Sequence, residues 1–423
     1  MEPIVKQYLL THSFQELELE HGVCARQSTR DATKFSLNYD QLSAKSGDPL
    51  SEQCRGMVVR TKAPVAEGAP VGDVEVLAWP LNRFYNHGDP AASDIDMSSP
   101  DVRVYEKLDG TMIALYWDPA YSEWCCATRS VPEADVPFSN VTGMTFGTLF
   151  RRTFAELHSV EAHDFDEIVC DLDREHTYVF ELTSPYNRIV VDYAEPGITL
   201  LAIRHTASGH EVNIHAGTLG LSRVAHPKSW HIRTIDDLVA FVNDADPMKL
   251  EGAVVVDSSF RRLKVKGHAY VLASKCRDTL VSQRNVLELI ISGKSDDVLP
   301  VLVPELADNV IKMRDQLRVW CVSMDARFHS WIAESSRVRK DFAKLVVASG
   351  DPKGPHFDMF DGKVTSTSSW LEGLYNTGKL GQSVLDTVLK AIATTQHGLD
   401  AFFGKWPGNE SDEQLSKALK DIS

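Results

Sequence analysis

A chain of 423 residues is longer than one hydrophobic core usually organises, which predicts two domains. Its formal net charge of −15 argues against a protein that coats nucleic acid non-specifically, although a single basic groove stays compatible with it. Seven cysteines without C-x-x-C spacing predict reduced thiols, no run nears the roughly 18 apolar residues of a membrane span, and "MEPIVKQYLLTHSFQ" lacks a secretory pattern. The expectation is a cytoplasmic protein, in a viral or cellular cytosol, with no membrane partner and no obligate protein partner.

Residues 61–73, "TKAPVAEGAPVGD", read as a surface loop rich in Pro, Gly and Ala. From about 74 to 270 strand signals dominate: "VEVLAW", "VRVYEK", "TMIALYW", "TYVFELT", "RIVVDY", "ITLLAIRH", "GAVVVD" and "RLKVKG". Only short helical patterns interrupt them, as in "FGTLFRRTFAELHSV" and "TIDDLVAFVND", so antiparallel sheets are expected rather than a doubly wound parallel one. Within this region Cys125 and Cys126 are adjacent on a strand and should face opposite ways, which suits packing better than metal binding. Beyond about 275 the apolar spacing becomes three and four residues, as in "DTLVSQRNVLELIISG" and "GQSVLDTVLKAIATTQHGLDAFF". The fold class expected is α+β over residues 1–275, followed by an all-α domain over 276–423.

The chemistry-bearing residues fall in the strand-rich part. "VYEKLDGTMIALYW" places Lys107 between two strands, with Asp109-Gly110 as a tight-turn signal for a hairpin. Alone, such a string also describes a surface hairpin with a solvated lysine. Glu181 stands near the end of an apolar strand, and Glu251-Gly252 opens another; each acid could equally mark a strand boundary. In "RRLKVKGHAY", Lys264 and Lys266 lie two apart and share a face, where they repel unless an anion covers them. "EQCRGMVV" and "WPLNRFYNHGD" add Arg55 and Arg83, the latter beside the Phe84-Tyr85 aromatic step. Gly293-Lys294-Ser295 is not a P-loop, because Glu288 stands where its first glycine would be. No histidine or cysteine spacing marks a zinc site, and no G-x-S-x-G elbow marks a hydrolase.

In chain order, K-L-D-G-T at Lys107, "FELTSPYNRIV" at Glu181, Glu251-Gly252 and Lys264-Val265-Lys266 resemble the covalent nucleotidyltransferase superfamily, most closely the phage T4 RNA ligase 1 family. The likeness covers roughly residues 50–270 and departs at Arg83 and Arg129, where that family tends to have lysine. The resemblance implies an N-terminal nucleotidyltransferase domain of antiparallel sheets with flanking helices, and a helical domain that helps select RNA. It implies ATP and Mg²⁺ (or Mn²⁺) as cofactors, and RNA with 5′-phosphate and 3′-hydroxyl ends, nicked tRNA among the candidates, as partner. Lys107 would be the nucleophile that takes AMP. Asp109 and Glu251 would organise the metal, Glu181 the ribose, and Lys264 and Lys266 the α-phosphate. Arg55, Arg83, Tyr85 and Arg129 would serve the triphosphate or the 5′-phosphate, with Glu106, Gly110 and Gly252 also lining the nucleotide. Attack requires a neutral amine, so Lys264, Lys266 and the metal are expected to lower the Lys107 pKa. Two rivals are a GTP-dependent capping-type nucleotidyltransferase and a catalytically silent RNA-end binding protein.

Overall fold

The computed structural model describes residues 2–138, 141–160, 165–214, 221–280 and 282–403; the last stretch of the expected helical domain, 404–423, lies outside the described residues. Two compact units divide the chain, Met1–Val271 and Leu272–Ser423.

The first unit holds three sheets, and their strands in chain order are as follows. β1 (Val23–Gln27), β2 (Lys34–Tyr39), β3 (Arg55–Thr61) and β4 (Val74–Ala78) form an antiparallel meander. The others are β5 (Tyr85–Asn86), β6 (Arg103–Lys107), β7 (Thr111–Asp118), β8 (Glu123–Ala127) and β9 (His176–Thr183), then β10 (Gly197–His205), β11 (Glu211–Val212), β12 (Ser229–Trp230), β13 (Gly252–Val256) and β14 (Arg262–Lys266). Their orders are β11-β10-β9-β7-β8 in the second sheet and β12-β6-β13-β14-β5 in the third. Pairing is antiparallel, as expected, except that β5 runs parallel to β14.

One expectation fails informatively. β6 and β7 do not pair as a hairpin; they belong to different sheets, and Asp109-Gly110 is the corner where the chain passes between them. Gly110 is required there by crowding, since a Cβ on it would sit 2.4 Å from the Leu182 carbonyl oxygen. Local sequence reports a turn, but not which sheet the next strand joins.

Alternation along the strands places the cores. On β7 and β9, Ile113, Leu115, Tyr178, Phe180 and Leu182 pack against the helices Phe146–His158 and Phe165–Val169. The opposite face of the second sheet buries Ala114, Tyr116 and Cys125 against Val58, Leu77 and Ala78 of the first. Cys126 lies on the helix side, so the adjacent cysteines do face opposite ways. In the third sheet Val104, Ala253, Val255, Leu263 and Val265 pack on the helix Ile235–Asp244, whose Leu238 and Val242 lie one turn apart. The Thr234 hydroxyl starts that helix by accepting from the Asp237 amide.

The second unit is helical throughout its described residues. Its core joins Leu287, Leu317, Trp320, Met324, Leu371, Leu385 and Val388, drawn from four helices, among them the long Pro304–Glu334. No helix of the described residues is long and apolar enough to cross a membrane.

Candidate active site

With its odd-numbered and even-numbered residues committed to opposite sides, the third sheet presents a second face away from its helix. Register fixes what stands there. Lys107 and Lys266 both pair with Gly252, while Tyr105 and Lys264 both pair with Val254. Paired residues share a face, so Lys107, Lys264 and Lys266 project together. Between two of them lies a glycine, and it has to be one: a Cβ on Gly252 would fall 2.1 Å from the Val265 carbonyl oxygen.

Glu251 precedes that glycine and is 3 % exposed. Its Oε2 stands 2.9 Å from Lys107 Nζ and its Oε1 2.8 Å from Lys266 Nζ. One buried carboxylate therefore bridges two ammonium groups. Burial works against the charge on Lys107, but Glu251 and Glu181 outweigh it and hold that pKa above the ordinary lysine value. This corrects the expectation that the neighbouring cations lower it. The depressed amine is Lys264: burial, then Lys107, Arg55 and Lys266, push it down to about 7. The carboxylate sits on Lys107 and not on Lys264, and that difference decides which amine keeps its proton.

The second sheet faces this array with Glu181, whose Oε1 accepts the Gly110 amide at 3.1 Å. Burial raises the Glu181 carboxyl to about 7, and the Lys107 charge opposes that rise. Arg55 comes from β3 with Nη1 3.0 Å from the Met112 sulfur and its guanidinium 5.7 Å from the Phe84 ring centre. Arg129 is close by, since a Cβ on Gly56 would lie 3.0 Å from the Arg129 Cα.

Asp109, expected at the metal, is 4 % exposed and has both carboxylate oxygens bonded to protein donors. Oδ2 accepts the amides of Val190 and Val191, both at 2.9 Å, and Oδ1 accepts the Tyr270 hydroxyl at 2.6 Å. The Asp109 amide in turn donates to the Tyr193 hydroxyl at 3.0 Å. Asp109 thus pins the corner that carries Lys107, and nothing in the local sequence pointed to Tyr193 or Tyr270. Glu106 alternates away from Lys107 onto the Val104 side, where its carboxylate is 3.7 Å from Lys228 Nζ.

The aromatic of the site is also a correction. Tyr85 pairs with the core-facing Leu263, and its hydroxyl accepts the Gly47 amide at 2.8 Å. Phe84 instead turns to the array, its ring centre 5.0 Å from Lys264 Nζ. Arg83 lies between the rings of Tyr39 and Tyr85, at 4.4 and 4.9 Å, and donates to the Ala44 carbonyl, so the structure does not bring it to Lys107. Below Phe84, a slot of about 100 Å³ runs between the sheets, lined by Leu81, Tyr105, Leu201 and Val254. Among the described residues no three His, Cys, Asp or Glu side chains converge as metal ligands.

Comparison with known proteins gives the family. The chain is 28 % identical over 290 residues to a putative bifunctional polynucleotide kinase/RNA ligase of Autographa californica nuclear polyhedrosis virus, covering 65 % of this chain and 38 % of that protein. It is 22 % identical over 316 residues to an RNA ligase of Rhodothermus phage RM378, covering 62 % and 68 % respectively. An archaeal ATP-dependent RNA ligase structure aligns over 76 % of this chain and 82 % of that one, at 14 % identity and a TM-score of 0.42. A family model of RNA ligases matches residues 53–275, more than half the chain and the whole stretch that builds the lysine array, and the protein belongs to that family, of the T4 RNA ligase 1 type.

Proposed function

We propose that this chain is an ATP-dependent RNA ligase that joins 5′-phosphate and 3′-hydroxyl RNA ends through a lysyl-AMP intermediate. The observation that carries the reading is the register across Gly252, which sets Lys107 and Lys266 on one buried carboxylate with Lys264 beside them. Lys107 attacks the α-phosphorus of ATP, the P–N bond forms, the bond to the β-phosphate oxygen breaks, and pyrophosphate leaves. Lys107 must lose a proton before it attacks, and its contact with Glu251 is what holds that proton in the free protein. Lys264 and Lys266 neutralise charge on the phosphate as it moves in line. Phe84 and Val254 offer apolar faces to the adenine, and Glu181 accepts a ribose hydroxyl. AMP then passes to the RNA 5′-phosphate, and a 3′-hydroxyl displaces it.

The implied divalent ion would require Glu251 to give up Lys107 or Lys266, since each of its oxygens faces one ammonium group. Glu251 would hold it, since magnesium needs only one or two protein carboxylates beside water and phosphate oxygens. Bound there, magnesium or manganese would supply charge neutralisation at the phosphates. Residues 1–275 would perform the adenylyl transfer and 276–423 would select the RNA. The proposal includes a repair role on nicked RNA such as tRNA, in the cytosol.

The test is intact mass after incubation with ATP and Mg²⁺. Wild-type protein should gain one covalent AMP, Lys107→Ala none, and Glu251→Ala should form it far more slowly. An adduct with GTP but not ATP would favour a capping-type enzyme, and no adduct with either would refute the reading. Sealing of a nicked tRNA, a linear single strand and a nicked duplex would then identify the preferred RNA.

A further inference from the structure

A cavity of about 360 Å³ adjoins the lysine array through Phe84 and extends to the β10–β11 and β13–β14 turns. Four arginines line it, Arg83, Arg204, Arg261 and Arg262, against two carboxylates, Glu52 and Glu211. Two of the four are ion-paired, and Arg83 and Arg204 each feel one carboxylate at longer range. Arg83 acts on Glu52, Arg261 Nε is 2.7 Å from Asp257 Oδ2, and Arg262 forks onto both oxygens of Glu211.

Of the two without an ion pair, Arg204 is the more firmly held. Its Nε donates to the Gly209 carbonyl at 2.7 Å, and its Nη1 to the Pro80 carbonyl at 2.5 Å and Asn82 Oδ1 at 2.8 Å. Its plane lies 4.4 Å from the Trp79 ring centre. These partners are neutral, so they hold the guanidinium still without cancelling its charge. Glu211 acts on it from a distance, but that carboxylate is committed to Arg262. Burial accordingly pushes Arg204 down to about 10, as befits a cation short of a counter-charge. Those bonds use Nε and both hydrogens of Nη1, so Nη2, on a fixed cation at the edge of a polar cavity, is the nitrogen left to donate to a phosphate oxygen. Phe260 adds an apolar face on which a base can rest.

We propose that this cavity receives a phosphodiester group of the RNA strand being joined, with Arg204 as its fixed charge partner. The proposal rests on the ligase reading, in which Lys264 and Lys266 hold the α-phosphate of the nucleotide.

Two variants test it. Arg204→Gln removes the charge, and Ser93→Glu puts a negative charge in the cavity lining while leaving every Arg204 bond in place. The probe is a single-stranded oligoribonucleotide with hydroxyls at both ends, titrated at several salt concentrations onto the full chain, both adenylylated and unmodified. Both variants should form lysyl-AMP at the wild-type rate. Arg204→Gln should bind the oligonucleotide roughly tenfold more weakly, with a log-affinity against log-salt slope shallower by about 0.7; Ser93→Glu should also weaken binding. Wild-type affinity and slope in both variants would overturn the proposal. So would an altered KM for ATP or altered inhibition by pyrophosphate with RNA binding unchanged, because the cavity would then serve nucleotide phosphates. Failure of wild-type protein to form lysyl-AMP would strike the ligase reading instead, and binding to the unmodified chain would still decide the cavity.

Discussion

Replacing Lys264 with methionine should make the protein more stable while disabling its chemistry. Folding moves this amine from 10.5 to about 7, through burial first and then the charges of Lys107, Arg55 and Lys266. At about 1.36 kcal/mol per pKa unit, keeping it charged in the fold costs about 5 kcal/mol below pH 7. Water reaches this half-buried head group, so about half of that is the fairer figure, roughly 2 kcal/mol at pH 7. Between pH 7 and 10.5 the unfolded chain binds more protons at this site than the folded one does. The site's contribution to stability therefore rises with pH through that window. Wild-type protein should recover roughly 1 kcal/mol between pH 7 and pH 9 from this group, and Lys264→Met should not. Methionine keeps the unbranched stem beside Phe84, so packing changes little. Urea unfolding followed by tryptophan fluorescence at pH 7, 8 and 9 measures the difference. Glu181, raised to about 7, titrates mainly below this window. A variant less stable than wild type at pH 7, or a difference that does not shrink toward pH 9, would refute the electrostatic account. Lysyl-AMP formation by the variant should fall, in keeping with a site that trades stability for function.

Asp109→Ala should lower the unfolding free energy by about 3–5 kcal/mol, because it strands the buried Val190 and Val191 amides and the Tyr270 hydroxyl. Tyr270→Phe, which removes one of those donors, should cost only about 1 kcal/mol; if the two variants melt alike, Asp109 does not hold the corner. Gly252→Ala places a methyl against the Val265 carbonyl oxygen at 2.1 Å, so β13 and β14 must separate locally. A loss of about 1–3 kcal/mol is expected, with slower lysyl-AMP formation as Lys107 and Lys266 part from Glu251, and a wild-type urea midpoint would count against it.

Much of the candidate site was legible along the chain because its charged residues stand on short strand segments. Period-two alternation alone placed Lys264 and Lys266 on one face, and Glu251-Gly252 announced a strand entry with a carboxylate attached. Composition and the change of spacing near residue 275 likewise marked a strand-rich part and a helical part. Pairing partners were not legible, since register is a property of two strands at once. Only the fold shows that Lys107 and Lys266 meet across Gly252, and that Asp109-Gly110 turns between sheets rather than within a hairpin.

The choice between Phe84 and Tyr85 makes the same point at the scale of one residue. Sequence supplied an aromatic pair, and the parallel register of β5 on β14 sent Tyr85 to the core and left Phe84 beside Lys264. Protonation was further still from view. A residue's charge depends on which groups burial forces beside it, and Glu251 reaches Lys107 and Lys266 but not Lys264. The sequence by itself determined the cast of charged side chains and the faces they could share; tertiary pairing alone decided which carboxylate met which amine, because electrostatic energy depends on distance through space and not along the chain.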